Sequence, residues 1–420
     1  MNKFTFEQNE KQEKVILVAV CLDDVRDVEE SLDELEQLAE TAGAQTVGRC
    51  IQNREAIHNS TYVGSGKMQE IKDMIWEQDA DGIICDDELS PMQIRNLEEE
   101  LDCKVMDRTL LILDIFASRA RTREGKIQVE LAQLKYFSTR LTGYGNSLSR
   151  LGGGIGTRGP GEKKLEMDRR LIRKRIGHLS KELKQVVKHR EVQRQKRSKN
   201  HVPVVCIAGY TNAGKSTLLN LYTDAGVLEE DQLFATLDPT TRSVKLPCGQ
   251  EILLTDTVGF IQKLPHHLVN AFQSTLEEAK YSDLILHVVD ASNPQREKQM
   301  QTVYETFRQL KIQDKKIITV FNKMDKAEDT EFLKDVNADE VIDISAKKKI
   351  HTEELLQLIE DILMEGQIYV EHLVKYADAG VIQKIRRNGV LLKEEYRDNG
   401  IYVEAYVPLE LTKLFGSETI

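Results

Sequence analysis

The residues from Gly209 to Ser216, Gly-Tyr-Thr-Asn-Ala-Gly-Lys-Ser, fit the phosphate-cradling pattern GxxxxGKS without a mismatch. The chemistry such a loop performs is anion binding. Successive backbone N–H groups turn inward, a helix amino terminus adds partial positive charge, Lys215 reaches the outer phosphates and the Ser216 hydroxyl takes Mg²⁺. Gly209 and Gly214 let the backbone come close without a Cβ in the way, and Tyr210, Thr211, Asn212, Ala213 and Thr217 complete the expected contacts. The loop needs a strand before it and a helix after it. Val204 to Ala208 is a short apolar run of buried-strand type, and Thr217 to Tyr222 continues as a helix.

Three further groups follow apolar runs, at strand ends, where open α/β sheets bind ligands. Asn322-Lys323-Met324-Asp325 succeeds Ile317 to Phe321 and resembles the guanine-reading NKxD element of GTPases. There the Asp325 carboxylate accepts from guanine N1–H and the exocyclic amine, Asn322 braces the loops and the Lys323 stem covers the base. Ser345-Ala346-Lys347, after Val341 to Ile344, resembles the SAK element, whose backbone amide meets guanine O6. Asp256-Thr257-Val258-Gly259, after Ile252 to Leu254, resembles the DxxG element, in which Asp256 holds Mg²⁺ through water and the Gly259 amide senses the γ-phosphate. The ligands expected are GTP or GDP with Mg²⁺, and ATP use is left open. One departure stands out. Phe260 follows Gly259 where a Ras-type enzyme keeps the glutamine that orients attacking water, so intrinsic hydrolysis is expected to be slow unless Gln262 or a partner supplies the group.

Between the phosphate loop and Asp256 a switch loop should carry a threonine for Mg²⁺ and the γ-phosphate. By spacing, Thr240 and Thr241 are candidates equal to Thr236. The stretch Leu233 to Arg242, however, resembles the FATLDPTTR switch of the HflX family of GTPases, which sits near the Obg family. That resemblance makes Thr236 the metal ligand beside Ser216 and Asp256, and a catalytic residue with Lys215 and Gly259. It also adds Phe234, Ala235, Leu237 and Asp238 to the nucleotide contacts.

The charge map is a second, independent clue. The chain carries −11 overall, yet residues 163 to 201 hold fifteen Lys/Arg against four Asp/Glu. In that segment Leu165, Ile172, Ile176, Leu179, Leu183 and Val186 form a heptad-like seam with basic residues on the other faces. Upstream, Ile127, Leu131 and Leu134 repeat at the same spacing towards Leu141, led in by Arg119, Arg121, Arg123 and Lys126. Two such helices bury their seams against each other as an antiparallel hairpin. Their connector, Thr142 to Gly161, is glycine-rich with Arg150 and Arg158, and suits an arm that probes folded RNA through phosphate charge and shape. Read alone, the charge run is better taken as a solvated helical face and the glycines as a slack linker.

Resemblance extends across this region. Gly152 to Arg170, GGGIGTRGPGEKKLEMDRR, and Asp107 to Tyr136 are similar to the glycine-rich loop and helices of HflX proteins. What this implies is a GTPase that binds the large ribosomal subunit and its rRNA through the arm at 109–200 and the tip loop at 142–161, and that splits or recycles stalled ribosomes under stress. A role in ribosome assembly is the nearest alternative. A membrane-associated GTPase is disfavoured because residues 163 to 201 contain no Trp, Phe or Tyr to anchor in lipid. A scaffold dimerising through the basic helix leaves the glycine-arginine tip without a role.

The fold expected is therefore α/β, a P-loop GTPase domain at 201–365 with three additions. An N-terminal parallel α/β domain occupies 1–108, the two-helix arm 109–200, and a small C-terminal α+β domain 366–420. Ser90-Pro91 reads as a helix start, Asp398-Asn399-Gly400 as a hairpin turn, Gly64-Ser65-Gly66-Lys67 as a structural turn and Trp76 as core. The six cysteines, Cys21, Cys50, Cys85, Cys103, Cys206 and Cys248, lack CxxC spacing and read as reduced core residues of a cytoplasmic protein. Association with ribosomes is what the resemblance adds, and a monomer is expected. No apolar stretch reaches the length of a membrane span.

Overall fold

Four short apolar runs near the amino terminus become one parallel sheet: β1 (Lys14–Cys21), β2 (Gln45–Asn53), β3 (Gly82–Cys85) and β4 (Lys104–Asp107), in the order β2-β1-β3-β4. The structure is a computed structural model that describes residues 12–22, 25–140, 160–199, 202–223, 233–234, 237–263, 278–327, 333–365, 367–408 and 411. The central strands β1 and β3 are buried on both faces, as the parallel arrangement requires, while β2 at the edge is mostly half-buried. Helix α1 (Val25–Thr41) buries Leu32, Leu35 and Leu38, one helical stripe. Helix α3 (Pro91–Leu101) starts as expected, in a capping box: Ser90 Oγ accepts the Gln93 N–H at 3.3 Å and Gln93 Oε1 accepts the Ser90 N–H at 2.9 Å. The turn expected at Gly64–Lys67 is instead a helix start: Gly64 is the N-cap of α2 (Ser65–Gln78), Ser65 to Lys67 open its first turn, and Lys67 is paired with Glu70 at 2.7 Å.

Trp76 corrects the sequence reading. It stands 86% exposed on α2, because Met68 and Ile71 define the buried face and Trp76 lies one residue, about 100° round the helix, beyond the half-buried Ile75.

Helix α4 (Arg108–Arg119) is capped by Asp107 and buries Leu111, Ile112, Ile115 and Phe116. The helices α5 (Arg123–Arg140) and α6 (Pro160–Lys199) run antiparallel. Arg123 pairs with Glu182 at 2.6 Å and Glu130 with Arg175 at 2.7 Å, so rising numbers on one helix meet falling numbers on the other. Leu179 is 1% exposed in the seam, flanked by the half-buried Ile172, Ile176, Leu183 and Val186. The connector residues 142–159 and the side chain of Leu165 lie outside the described residues.

The chain forms two units, Met1–Leu183 with Gln262–Ala271, and Lys184–Ile261 with Phe272–Ile420. A polar cluster at the carboxyl ends of β1 and β3 ties the discontinuous piece into the first. Arg108, 1% exposed, pairs with Asp86 at 2.7 Å and with Glu34. Lys263 pairs with Asp86 and, at 3.0 Å, with Asp87, while the Gln262 N–H donates to Glu34 at 3.2 Å. Burial opposes ionisation of Asp86, but Arg108 and Lys263 outweigh it and hold its carboxyl below the usual range.

The second unit is built on a six-stranded sheet, β10-β9-β8-β5-β7-β6. Its strands are β5 (Val204–Gly209), β6 (Thr240–Lys245), β7 (Glu251–Asp256), β8 (Leu284–Asp290), β9 (Lys316–Asn322) and β10 (Glu340–Asp343). All pairs are parallel except β6 with β7. Among the described residues the helices around it include α7 (Lys215–Tyr222), α8 (Arg296–Gln309) and α9 (Thr352–Leu363). Beyond them β11 (Gln367–Val374), α10 (Gly380–Asn388), β12 (Val390–Arg397) and β13 (Gly400–Pro408) make an antiparallel sheet, β11-β13-β12, with the expected tight turn at Asp398-Asn399. Its core is Val370, Val374, Ile382, Ile385, Val403 and Ala405. All six cysteines are free, and no group of three His, Cys, Asp or Glu suited to a metal occurs among the described residues. No described helix is long and apolar enough to cross a membrane.

Candidate nucleotide-binding site

Strand β5 has β8 on one side and β7 on the other, so the loop after it opens at the point where strand order reverses, the usual ligand crevice of such a sheet. Two glycines shape that loop. Gly209 has φ +155°, and a Cβ there would sit 2.2 Å from the Val288 carbonyl oxygen. Gly214 has φ +94°, and its Cβ would meet Asn322 Nδ2 at 2.2 Å. Neither position admits a side chain, which leaves a turn lined by backbone N–H groups at the head of α7.

Lys215 is buried, and its ammonium donates to the Tyr210 carbonyl at 2.6 Å. Burial, opposed by Asp256, draws its pKa down to about 8. The Ser216 hydroxyl donates to Asp256 Oδ2 at 2.9 Å, so two of the expected metal ligands already touch. Hard oxygen donors of this kind suit Mg²⁺. Thr257 Oγ1 donates to the Ile207 carbonyl at 2.8 Å, which fixes the segment carrying Val258 and Gly259. Of the switch residues, Phe234 has φ +57° and is buried, as is Leu237, and Asp238 is half-buried. Ala235 and Thr236 lie outside the described residues. Thr240 and Thr241, the alternatives to Thr236, stand in β6, and the Thr241 hydroxyl shares a 3.0 Å hydrogen bond with Thr255.

The base-reading elements converge through Asn322. Its Nδ2 donates to the Ala213 carbonyl at 2.9 Å and its Oδ1 accepts the Ala346 N–H at 3.0 Å. One side chain thus ties the phosphate loop, the Asn322–Asp325 element and the Ser345–Lys347 element together. The Ser345 hydroxyl donates to Asp325 Oδ1 at 2.6 Å and holds that carboxyl below its usual range. Met324 N–H donates to the Ile344 carbonyl at 3.2 Å, and Lys347 is exposed beside them. Sequence reasoning missed Asp290, which ends β8 and pairs with Lys323 Nζ at 2.8 Å. Its signal was the same one used elsewhere, a polar residue closing an apolar run.

Phe260 turns inward. It is 2% exposed, its ring meets Phe307 edge-on at 5.8 Å, and Phe307 leads on to Tyr304 and the buried His287. Burial keeps His287 below its usual pKa, and Asp335, despite its own burial, is held low by hydrogen bonds from Thr319 and Tyr304, each at 2.6 Å, with His287 Nδ1 3.8 Å away. The backbone of Phe260 is pinned as well: Thr211 N–H donates to its carbonyl at 2.8 Å and its N–H donates to the Gly209 carbonyl at 3.1 Å.

The sequence matches known families and proteins. Residues 204–323 match a family described as 50S ribosome-binding GTPase, 29–117 one described as GTP-binding GTPase N-terminal, and 119–197 one described as GTP-binding GTPase middle region. A crystal structure of a GTP-binding protein from Sulfolobus solfataricus in complex with GDP is 26% identical, with 84% of this chain and 99% of that chain covered and a TM-score of 0.45. A protein of Escherichia coli named GTPase HflX is 46% identical over 78% of this chain and 76% of its own. One of the same name from Caldanaerobacter subterraneus is 49% identical over 95% and 92%. A third, from Lacrimispora saccharolytica, is 66% identical over 96% of both chains. With the phosphate loop, the Asp256 segment and the Asn322 clamp converging at one sheet edge, and kinship running nearly end to end, this chain belongs to the HflX family of GTPases and is a GTP hydrolase.

Proposed function

We propose that this GTPase grips the large ribosomal subunit with the α5–α6 arm and splits or recycles stalled ribosomes, with GTP hydrolysis resetting the grip. The observation that carries the reading is the charged face of α6. Arg170, Arg173, Lys174, Lys181, Lys184 and Lys188 are exposed while the seam residues face inward, in a chain otherwise strongly acidic. Cations spaced along a helix of about 60 Å suit the phosphates of folded RNA. The family description, 50S ribosome-binding GTPase, supports the same partner.

In this reading the triphosphate lies along Gly209 to Thr217 and Lys215 faces its outer phosphates. Asp325, oriented by Ser345, reads guanine, and the Ser345–Lys347 element supplies a backbone amide to guanine O6. Mg²⁺, held by Ser216 and Thr236 and through water by Asp256, would neutralise charge between the outer phosphates. Gly259 reports the γ-phosphate, and the switch from Phe234 to Asp238 sets how the arm is presented.

Co-sedimentation with purified large subunits, small subunits and lipid vesicles tests the proposal. The protein should pellet with large subunits in a non-hydrolysable GTP analogue more than in GDP. By analogy with B-DNA, about six to ten phosphate contacts would cost roughly 10³ to 10⁵ in affinity between about 50 and 200 mM salt. Equal retention in both nucleotides, or preference for vesicles, defeats it; retention without splitting of intact ribosomes favours an assembly role.

A further inference from the structure

The side chain that a Ras-type enzyme would use to place the attacking water is missing, and the structure narrows what replaces it. Phe260 is held in its aromatic cluster by ring and backbone alike. Gln262, the nearest amide in sequence, is itself buried, and its N–H donates to Glu34 at 3.2 Å. The hydroxyl of Thr257 is committed to the Ile207 carbonyl and that of Ser216 to Asp256.

Thr211 is different. Its side chain is 6% exposed, and its hydroxyl oxygen, fully shielded from solvent, has no hydrogen-bond partner among the described residues. A buried hydroxyl left unpaired costs free energy and calls for an explanation. The rest of the side chain is placed by its neighbours: a Cβ built on Gly259 would lie 2.6 Å from the Thr211 methyl, Cγ2, and 3.0 Å from Lys215 Nζ. Thr211 and Lys215 therefore both border Gly259, the residue whose amide is expected to sense a γ-phosphate.

We propose that Thr211 Oγ1 positions the attacking water, accepting a hydrogen bond from it and donating its own to a γ-phosphate oxygen. In the step it assists, the water oxygen forms the new bond to phosphorus and the β–γ bridging P–O bond breaks. The electron pair leaves on GDP and the water's proton ends on a γ-phosphate oxygen. Thr211 changes neither charge nor protonation overall. The inference rests on the placement of the triphosphate against Lys215 and Gly259.

Two substitutions separate the hydroxyl from the methyl that packs on Gly259. Thr211→Val keeps the shape and removes the hydroxyl, whereas Thr211→Ser keeps the hydroxyl. Single-turnover GTP hydrolysis and the affinity for fluorescent GDP are measured for each in the full chain. Thr211→Val should hydrolyse about 100-fold more slowly, the scale of losing one preorganised hydrogen-bonding group, with a far smaller change in GDP affinity than in rate, and Thr211→Ser should stay within about threefold of the parent. Hydrolysis by Thr211→Val at the parental rate overturns the proposal, as does the reverse pattern with Ser impaired and Val active. GTP binding that survives Lys215→Ala undiminished would instead sink the phosphate placement beneath it.

Discussion

Lys215 is a cation kept in a dry place until an anion arrives. Burial brings its pKa to about 8, below that of a lysine in water, so the free protein sheds this proton as pH rises through 8. A bound triphosphate favours the charged form and restores it. The sign follows: near pH 6.5 the group is protonated before and after binding, while near pH 9 nucleotide binding must take up a proton. Calorimetric titration with GDP in buffers of differing ionisation enthalpy should show uptake that grows above about pH 8 and vanishes in Lys215→Met. The motif around Lys215 was legible in the sequence because its chemistry is local, eight consecutive residues folding onto one ligand. The inward turn of Phe260 was not, since Phe307 and His287 reach it only through packing between elements.

At the level of elements, strand ends explain why so much of the site could be read in advance. Parallel strands bring their carboxyl ends to one edge, so polar residues closing apolar runs, Asp256, Asp290, Asn322 and Ser345, must gather there. Asn322 converts that gathering into one clamp on two other loops. Asn322→Ala should weaken GDP binding by roughly 10- to 100-fold, the worth of two buried hydrogen bonds at about 1 kcal/mol or more each, with little change in the secondary structure seen by circular dichroism. The α6 seam was legible for a similar reason, a strict 4–3 spacing that a helix turns into one face. Trp76 was misread because α2 offers only a narrow buried stripe, and composition does not say which side of a short helix meets the sheet.

For the molecule as a whole, continuity in sequence is a poor guide to continuity in space. The first unit includes Gln262–Ala271, and Lys263 reaches carboxylates 177 and 176 residues earlier. No periodicity or motif announces such a pair. Its consequence falls on the growing chain. Translation makes Asp86 long before Lys263, and at about 5–20 residues per second the carboxylate waits roughly 9–35 s for its second cation, with Arg108 its guardian meanwhile. A nascent amino-terminal unit is thus born incomplete. A fragment ending at residue 200 should exchange the amide hydrogens at 86–89 faster than the finished protein does, and Lys263→Met in the finished protein should reproduce that looseness; equal exchange in all three would mean the late-arriving lysine adds nothing to the early fold.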